Sequence, residues 1–252
     1  MNDYFRINGT TAVVTGGANG LGYEYAKALL KQNLKVIICD INENEVQLAI
    51  GNLKEFGHIF GDVVNVTSEF EVSNWVKKIV IEHGRVDYLV NNAGVVQRKT
   101  IAEMDGTEWD RVMDVNVKGT FLCSKYFAEE MVNQRSGKII NVSSIAGRKA
   151  MDLRLAYCTS KASIEHFTRT LARELGASNI RVNAIAPGYI STRMNEDMRN
   201  DPIIYGDVVN SIPLGDFGSS DDLIGTLLFL ISSASDYITG QTIFVDGGVI
   251  TA

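Results

Sequence analysis

Tyr157 and Lys161 stand four residues apart in Tyr-Cys-Thr-Ser-Lys, and Ser144 precedes the tyrosine by thirteen residues. Taking a hydride from an alcohol carbon requires the hydroxyl proton to leave with it. A phenolate can accept that proton, but free tyrosine titrates near about 10, so a nearby cation must lower it. Lys161 follows Tyr157 by one helical turn, which puts both side chains on one helix face. A general base so placed contributes roughly 10²–10⁴ in rate. Far upstream lies Thr15-Gly16-Gly17-Ala18-Asn19-Gly20-Leu21-Gly22. A phosphate-binding turn and a Tyr–Lys–Ser set in one chain point to hydride transfer between a nicotinamide cofactor and an alcohol or ketone.

The glycine segment falls between an apolar stretch at 11–15, read as a strand, and a helical pattern at 21–32. Glycines there let the backbone turn sharply and let a pyrophosphate approach the helix N-terminus, where free N–H groups and the dipole favour negative charge. Taken alone the glycines could be an ordinary strand-to-helix turn; the strand–glycine–helix context is what points to a nucleotide. Asp40 ends the second strand, twenty residues after Gly20. A carboxylate at that place accepts from the adenosine ribose hydroxyls and repels a 2′-phosphate. Neither the glycine turn nor Ile41 and Asn42 brings a cation to offset it. The expectation is therefore NAD(H) rather than NADP(H), against the plainer reading of Asp40 as a cap for the next helix.

The elements that position these groups alternate along the chain. Strands are expected at 11–15, 35–40, 58–60, 86–90, 138–142, 180–186 and 242–246. Helices are expected at 21–32, from after Asp40 to 56, after a Thr67 or Ser68 cap, and at 107–133, 156–177 and 221–233. This alternation predicts one α/β domain, 1–252, with a doubly wound parallel seven-stranded sheet and helices on both faces. Segment 191–218, holding Met194, Met198, Pro202 and Pro213, is the least regular part and reads as a substrate flap.

Composition narrows the class. The chain has 252 residues and a net charge of −6, which argues against nucleic acid as a main partner. Cys39, Cys123 and Cys158 form no CxxC pair, so neither a disulfide scaffold nor a metal site is expected. The start, Met-Asn-Asp-Tyr-Phe-Arg, lacks a signal-peptide apolar stretch, and the longest apolar run, 227–231, is far short of the roughly 20 residues of a membrane span. A cytoplasmic protein with a small-molecule substrate is expected.

Together these residues resemble the short-chain dehydrogenase/reductase family, in its subfamily of roughly 250-residue chains. The likeness covers Gly9 to Gly248 and implies a Rossmann-type fold. Besides the glycine turn it rests on Asn91-Asn92-Ala93-Gly94, on Asn116 in Val-Asn-Val-Lys-Gly, on Ser144, on Tyr157 to Lys161, and on Pro187-Gly188. It implies that Asn92, Ala93 and Gly94 support the adenosine side, that Ile190 and Thr192 meet the nicotinamide carboxamide, and that Lys161 reaches the ribose. It further implies that Ser144 donates to the substrate oxygen and that Asn116 holds a relay water next to Lys161. Where the family often has Asp-Val-Thr, with the aspartate accepting from the adenine amino group, this chain has Asn65-Val66-Thr67. The Asn65 amide oxygen is expected to take that role, with Asp62 a weaker substitute. A second Tyr-xxx-Lys, Tyr23 to Lys27, lies beside the glycine turn and reads as helix surface and packing.

For substrate, the segment after Ser144, Tyr189 and the flap should line the pocket. Arg148 and Arg154 are candidates to hold a carboxylate, set against a reading as solvated loop cations. The likeness leans to members acting on polyols, sugars and sugar acids such as gluconate. A 3-oxoacyl-carrier-protein reductase is the alternative enzyme, and a nucleotide-sensing or scaffold protein the alternative of another class. A hydrolase is disfavoured, since no Gly-x-Ser-x-Gly elbow is present. Family likeness implies a homotetramer, with one interface on the two long helices and another on the C-terminal segment; Phe121, Tyr126, Phe127 and Phe167 are candidates for burial between subunits, although some of them must face their own sheet.

Overall fold

The computed structural model describes residues 4–192 and 195–251; Met194 of the expected flap and the first three residues lie outside them. Strands β1 (Thr11–Thr15), β2 (Lys35–Asp40), β3 (Ile59–Val63), β4 (Tyr88–Asn91), β5 (Gly137–Val142), β6 (Ile180–Pro187) and β7 (Thr242–Val245) form one sheet. Its order is β3-β2-β1-β4-β5-β6-β7, with every neighbouring pair parallel. The described helices are α1 (Gly20–Lys31), α2 (Glu43–Leu53), α3 (Glu69–His83), α4 (Gly106–Met113), α5 (Gly119–Gln134), α6 (Leu155–Leu175), α7 (Glu196–Asn200), α8 (Pro202–Asn210) and α9 (Asp221–Ile231). The doubly wound parallel α/β fold expected from the alternating pattern is the fold observed.

Strand period decides which helix covers which face. Ala12 and Val14 of β1, with Val36 and Ile38 of β2, pack against Tyr25 and Leu29 of α1 and Leu223 and Leu227 of α9. The intervening Val13, Ile37 and Cys39 face Trp75 of α3 and Phe127 and Met131 of α5 on the opposite side. Both faces are dry, so the strands read as continuous apolar runs rather than alternating ones. Phe127 meets Trp75 edge-on, with ring centroids 5.5 Å apart at 88°. Of the four aromatic candidates, Phe127 is thus one that faces its own sheet. Tyr23 packs on the α1 side of the core, and Lys27 lies over the Phe56 ring and 3.8 Å from Glu24.

Three local features differ from the sequence expectation. The strand read at 58–60 continues to Val63, because pairing with β2 through Asp40 overrides the weak strand preference of Gly61 and Asp62. The helical stretch at 107–133 carries a π turn over Asp114–Lys118, where the Gly119 N–H bonds the Asp114 carbonyl. Such turns put one extra residue into a helix and re-aim its side chains. Inside the expected flap two helices form. Asp201 caps α8 by accepting from the Ile203 and Ile204 N–H groups at 2.9 and 3.2 Å, and Pro202 occupies its first turn. Val208 and Ile212 from this segment close a third apolar cluster with Ile145 and Val249.

Candidate active site

The sheet order reverses between β1 and β4, and a cavity of about 560 Å3 opens there at the carboxyl ends of the strands. Ligands of doubly wound sheets bind at such switch points. The glycine turn forms one wall. Gly16 has φ +60°, and a Cβ there would lie 2.8 Å from the Ala93 backbone. At Gly22 an added Cβ would sit 2.1 Å from the Gly16 carbonyl oxygen and 2.5 Å from Asn92 Nδ2, so no side chain fits. Gly22 therefore does not line the cavity; it lets α1 close onto the turn. Asn92 fixes the turn from β4, its Nδ2 donating to the carbonyls of Thr15 at 3.1 Å and Gly16 at 2.9 Å. The N–H groups of Asn92 and Ala93 both reach Thr15 Oγ1 at 3.1 Å.

The first turn of α1 is left open to an anion. Asn42, Ser68, Asp105 and Asp201 each cap a helix with a side-chain oxygen. Asn19, at the same place on α1, makes no cap bond, and the first turn of α1 carries no acidic residue. The Asn19 amide is instead held by the Glu45 carboxylate. Free N–H groups at the positive end of a helix form an anion site, here facing a cavity lined by Gly16, Asn19, Gly20 and Leu21. A nucleotide pyrophosphate fits these residues. Asp40 and Ile41 continue the wall, and the Ile41 N–H donates to Asp40 Oδ1 at 2.8 Å, which orients the carboxylate.

At the other end of the cavity Ser144, Tyr157 and Lys161 come together. Two hydrogen bonds tie the end of β5 to α6. Ser143 Oγ donates to the Lys161 carbonyl at 3.0 Å, and Lys161 Nζ donates to the Val142 carbonyl at 2.8 Å. Ser144 Oγ accepts from the Ala146 N–H at 3.2 Å and faces Tyr157. Burial pushes the Tyr157 phenol up, while the Ser144 hydroxyl and the Arg154 guanidinium pull it down. Lys161 lies 5.7 Å from the centre of the Tyr157 ring, and burial lowers its ammonium to about 8. The lysine thus sits over the ring rather than at the phenol oxygen, and Arg154 is the cation acting on that oxygen.

Asn116 lies behind this cluster, in the π turn, and does not line the cavity. Its Oδ1 accepts from the Val95 N–H at 2.8 Å, and its Nδ2 donates to the Val95 carbonyl at 3.0 Å and Ser160 Oγ at 2.9 Å. The side-chain amide is thus engaged within the protein. The Asn116 main-chain carbonyl accepts from Thr120 Oγ1 at 2.8 Å and keeps a second lone pair.

Asn65 and Val66 line the cavity, where the adenine contact is expected, but the Asn65 amide oxygen accepts from both the N–H and the Oγ1 of Thr67, at 3.0 and 2.8 Å. Both lone pairs are in use, so the expected acceptor for an adenine amino group is spent on a local turn. Asp62 does not replace it: its carboxylate bonds Trp75 Nε1 at 3.0 Å and pairs with Lys78, away from the cavity wall. Ser68 caps α3 by accepting from the Glu71 N–H at 3.3 Å, and the Glu71 carboxylate accepts from the Asn65 N–H at 2.9 Å. Pro187, Gly188, Tyr189, Ile190 and Thr192 line the far wall. An added Cβ at Gly188 would sit 2.5 Å from Asp246 Cα, which keeps this segment pressed against β7. Tyr189 packs on Phe217, which stacks on Tyr205. Arg154 lines the cavity and Arg148 does not.

A family model described as enoyl-(acyl carrier protein) reductase matches residues 16–250. The chain is 36% identical to 5-keto-D-gluconate 5-reductase of Escherichia coli (strain K12), with 100% of both chains covered. The chain belongs to the short-chain dehydrogenase/reductase family. It is also 36% identical to a 3-oxoacyl-acyl-carrier-protein reductase of Thermotoga maritima, covering 97% of this chain and 99% of that one. Among solved structures, a gluconate 5-dehydrogenase from Burkholderia cenocepacia J2315 in complex with NADP and tartrate superposes with a TM-score of 0.95 at 31% identity, over 99% of this chain and 98% of that one. Sequence reasoning in this short-chain dehydrogenase/reductase passed over several residues near the site. Arg98, Arg111, Met151 and Val115 line the cavity, and Glu45 holds Asn19 at its mouth. Arg98 follows Gly94 by four residues and was within reach of a motif-based search; Met151 and Glu45 carry no sequence signal that separates them from ordinary packing or surface positions.

Proposed function

We propose that this oxidoreductase transfers a hydride between NAD(H) and a secondary alcohol or ketone, a polyol, sugar or sugar acid. The observation that carries the reading is one cavity with an uncapped α1 N-terminus and Asp40 at one end and Ser144, Tyr157 and Lys161 at the other. When bound there, the nicotinamide supplies the hydride acceptor or donor. Gly16, Asn19, Gly20 and Leu21 hold the pyrophosphate, Asp40 the adenosine ribose, and Ile190 and Thr192 the carboxamide. Tyr157 takes the alcohol proton in oxidation and returns it in reduction. Ser144 orients the substrate oxygen by donating to it. Lys161 anchors the ribose, and its charge, with that of Arg154, favours the phenolate. Asn116 pins Val95 and Ser160 and offers its carbonyl to a water serving Lys161. Segment 191–218 closes over the substrate. A reducing, cytoplasmic interior suits its three free cysteines.

The test is absorbance at the NADH band with NAD⁺ or NADP⁺ and a panel of polyols, sugar acids and secondary alcohols. Turnover of a sugar acid or polyol with NAD⁺ is expected. Silence across the panel with NADH still bound would support a sensor instead. Turnover confined to 3-oxoacyl thioesters with NADPH would support the carrier-protein reductase reading, which the Thermotoga relative keeps in view.

We also propose a homotetramer built on the outer faces of α5 and α6. Phe121 is 45% exposed and Val132 38% exposed, and both line a groove between these helices with Phe167 and Leu171. Tyr126 is less available, because its hydroxyl donates to Glu69 at 2.8 Å. Light scattering after size exclusion is expected to give four protomers, and Phe121→Glu a smaller species. A wild-type monomer would contradict the assembly.

A further inference from the structure

Two arginines were candidates to meet the substrate, and the structure treats them differently. Arg148 Nε donates to Glu165 Oε2 at 2.6 Å, and its guanidinium lies 5.6 Å over the Phe244 ring. It is already paired and stands off the cavity wall. Arg154 is on the wall, immediately before α6, and acts electrostatically on both Tyr157 and Tyr189. Its Nη1 lies 3.3 Å from Met151 Sδ and its Nη2 3.4 Å from Met198 Sδ. Among the described residues no carboxylate is within ion-pairing distance of it.

A thioether is a weak acceptor. Two of them hold the guanidinium plane in place without satisfying its N–H groups. A partly buried cation with poor acceptors is costly, and a planar fork matches a carboxylate in a bidentate way. Arg98, Arg111 and Lys161 line the cavity with Arg154, whereas its sole acidic lining residue among those described is Asp40, at the adenosine end. In a chain of net charge −6 a cavity with more cations than carboxylates on its wall favours an anion.

We propose that Arg154 is the specificity-determining residue of this site: it binds the carboxylate of a polyhydroxy acid whose reacting hydroxyl lies at Tyr157, clamped between Met151 and the flap residue Met198. The proposal rests on the hydride-transfer reading above and names the charge of its substrate. Arg154, immediately before α6, and Tyr157, in its first turn, are three residues apart, which favours a compact acid over a long-chain one.

The experiment compares D-gluconate with D-glucitol, the same carbon skeleton with the carboxylate replaced by a hydroxymethyl group. Wild type, Arg154→Met, Arg154→Lys and Arg148→Met are assayed with NAD⁺. The quantity read is the ratio of kcat/KM for gluconate to that for glucitol, in which any change acting through Tyr157 cancels. In Arg154→Met the ratio is expected to fall about 10- to 100-fold, mainly through KM for gluconate. Arg154→Lys should recover part of it, since charge returns without the fork, and Arg148→Met should leave the ratio as in wild type. A ratio unchanged in both Arg154 variants overturns the proposal. If wild type turns over neither compound, the wider panel above decides on hydride transfer, and calorimetric titration of gluconate into the NADH-loaded proteins decides on Arg154. There, at least tenfold weaker binding by Arg154→Met supports the assignment; equal affinity, or no binding by wild type, rejects it.

Discussion

Tyr157→Phe is expected to lower kcat by about 10³-fold or more while NADH still binds with near wild-type affinity. The substitution removes one oxygen from a cluster otherwise held by other bonds. Ser143 and Lys161 tie β5 to α6 through main-chain carbonyls that the phenol does not touch, so the fold around the site persists. What disappears is the group that exchanges a proton with the substrate oxygen. The pH profile gives a second readout. Burial raises the Tyr157 phenol, so at neutral pH it is mostly protonated. Oxidation needs the phenolate, and its rate should therefore rise as pH rises; reduction needs the phenol and should be favoured as pH falls. Tyr157→Phe should lose both limbs. Wild-type-like turnover in that variant would end the assignment, and loss of NADH binding along with turnover would mean that Tyr157 matters to the cofactor cradle rather than to proton transfer.

The wild-type protein is expected to prefer NAD⁺ over NADP⁺ in kcat/KM by about 30-fold or more, and Asp40→Ala to lose most of that preference. A unit charge pair at 4 Å is worth about 4 kcal/mol at an effective dielectric of 20, and about half of that survives for a carboxylate near solvent. Asp40 is fixed by the Ile41 N–H at 2.8 Å, so it cannot easily swing from a 2′-phosphate. Glu45, held by the Asn19 amide, adds a second negative charge at the same mouth. In Asp40→Ala, NAD⁺ loses the ribose acceptor while NADP⁺ loses a repulsion, so the two kcat/KM values converge from opposite directions. The Burkholderia gluconate 5-dehydrogenase is in complex with NADP, so relatives of very similar fold do take the phosphorylated cofactor. A wild-type preference for NADP⁺ would show that this carboxylate does not face the ribose.

Both expectations could be written from the sequence, because each depends on local order. A strand, a glycine turn and a helix must be contiguous to make a phosphate cradle, and Tyr157 and Lys161 must be four residues apart to share a helix face. The same locality made the parallel sheet legible: strands buried on both faces read as short apolar runs between amphipathic helices. Helices α7 and α8 were missed because the Asp201–Pro202 start signal sat in a segment whose mixed Met, Pro and Gly content masked its period.

What the chain order could not decide was which polar groups remain available once neighbours arrive from elsewhere. Asn65 stood where an adenine acceptor was expected, yet Thr67 consumes its oxygen. Asn116 was matched to its place, yet Val95 and Ser160 occupy its amide. Arg148 and Arg154 looked equivalent six residues apart, until Glu165 of α6 neutralised one and two methionines from separate segments framed the other. Hydrogen-bond capacity is finite, two lone pairs to an oxygen and one direction to each N–H. Residue type and spacing tell which groups a chain carries; only packing in three dimensions tells which of them are still free to meet a ligand.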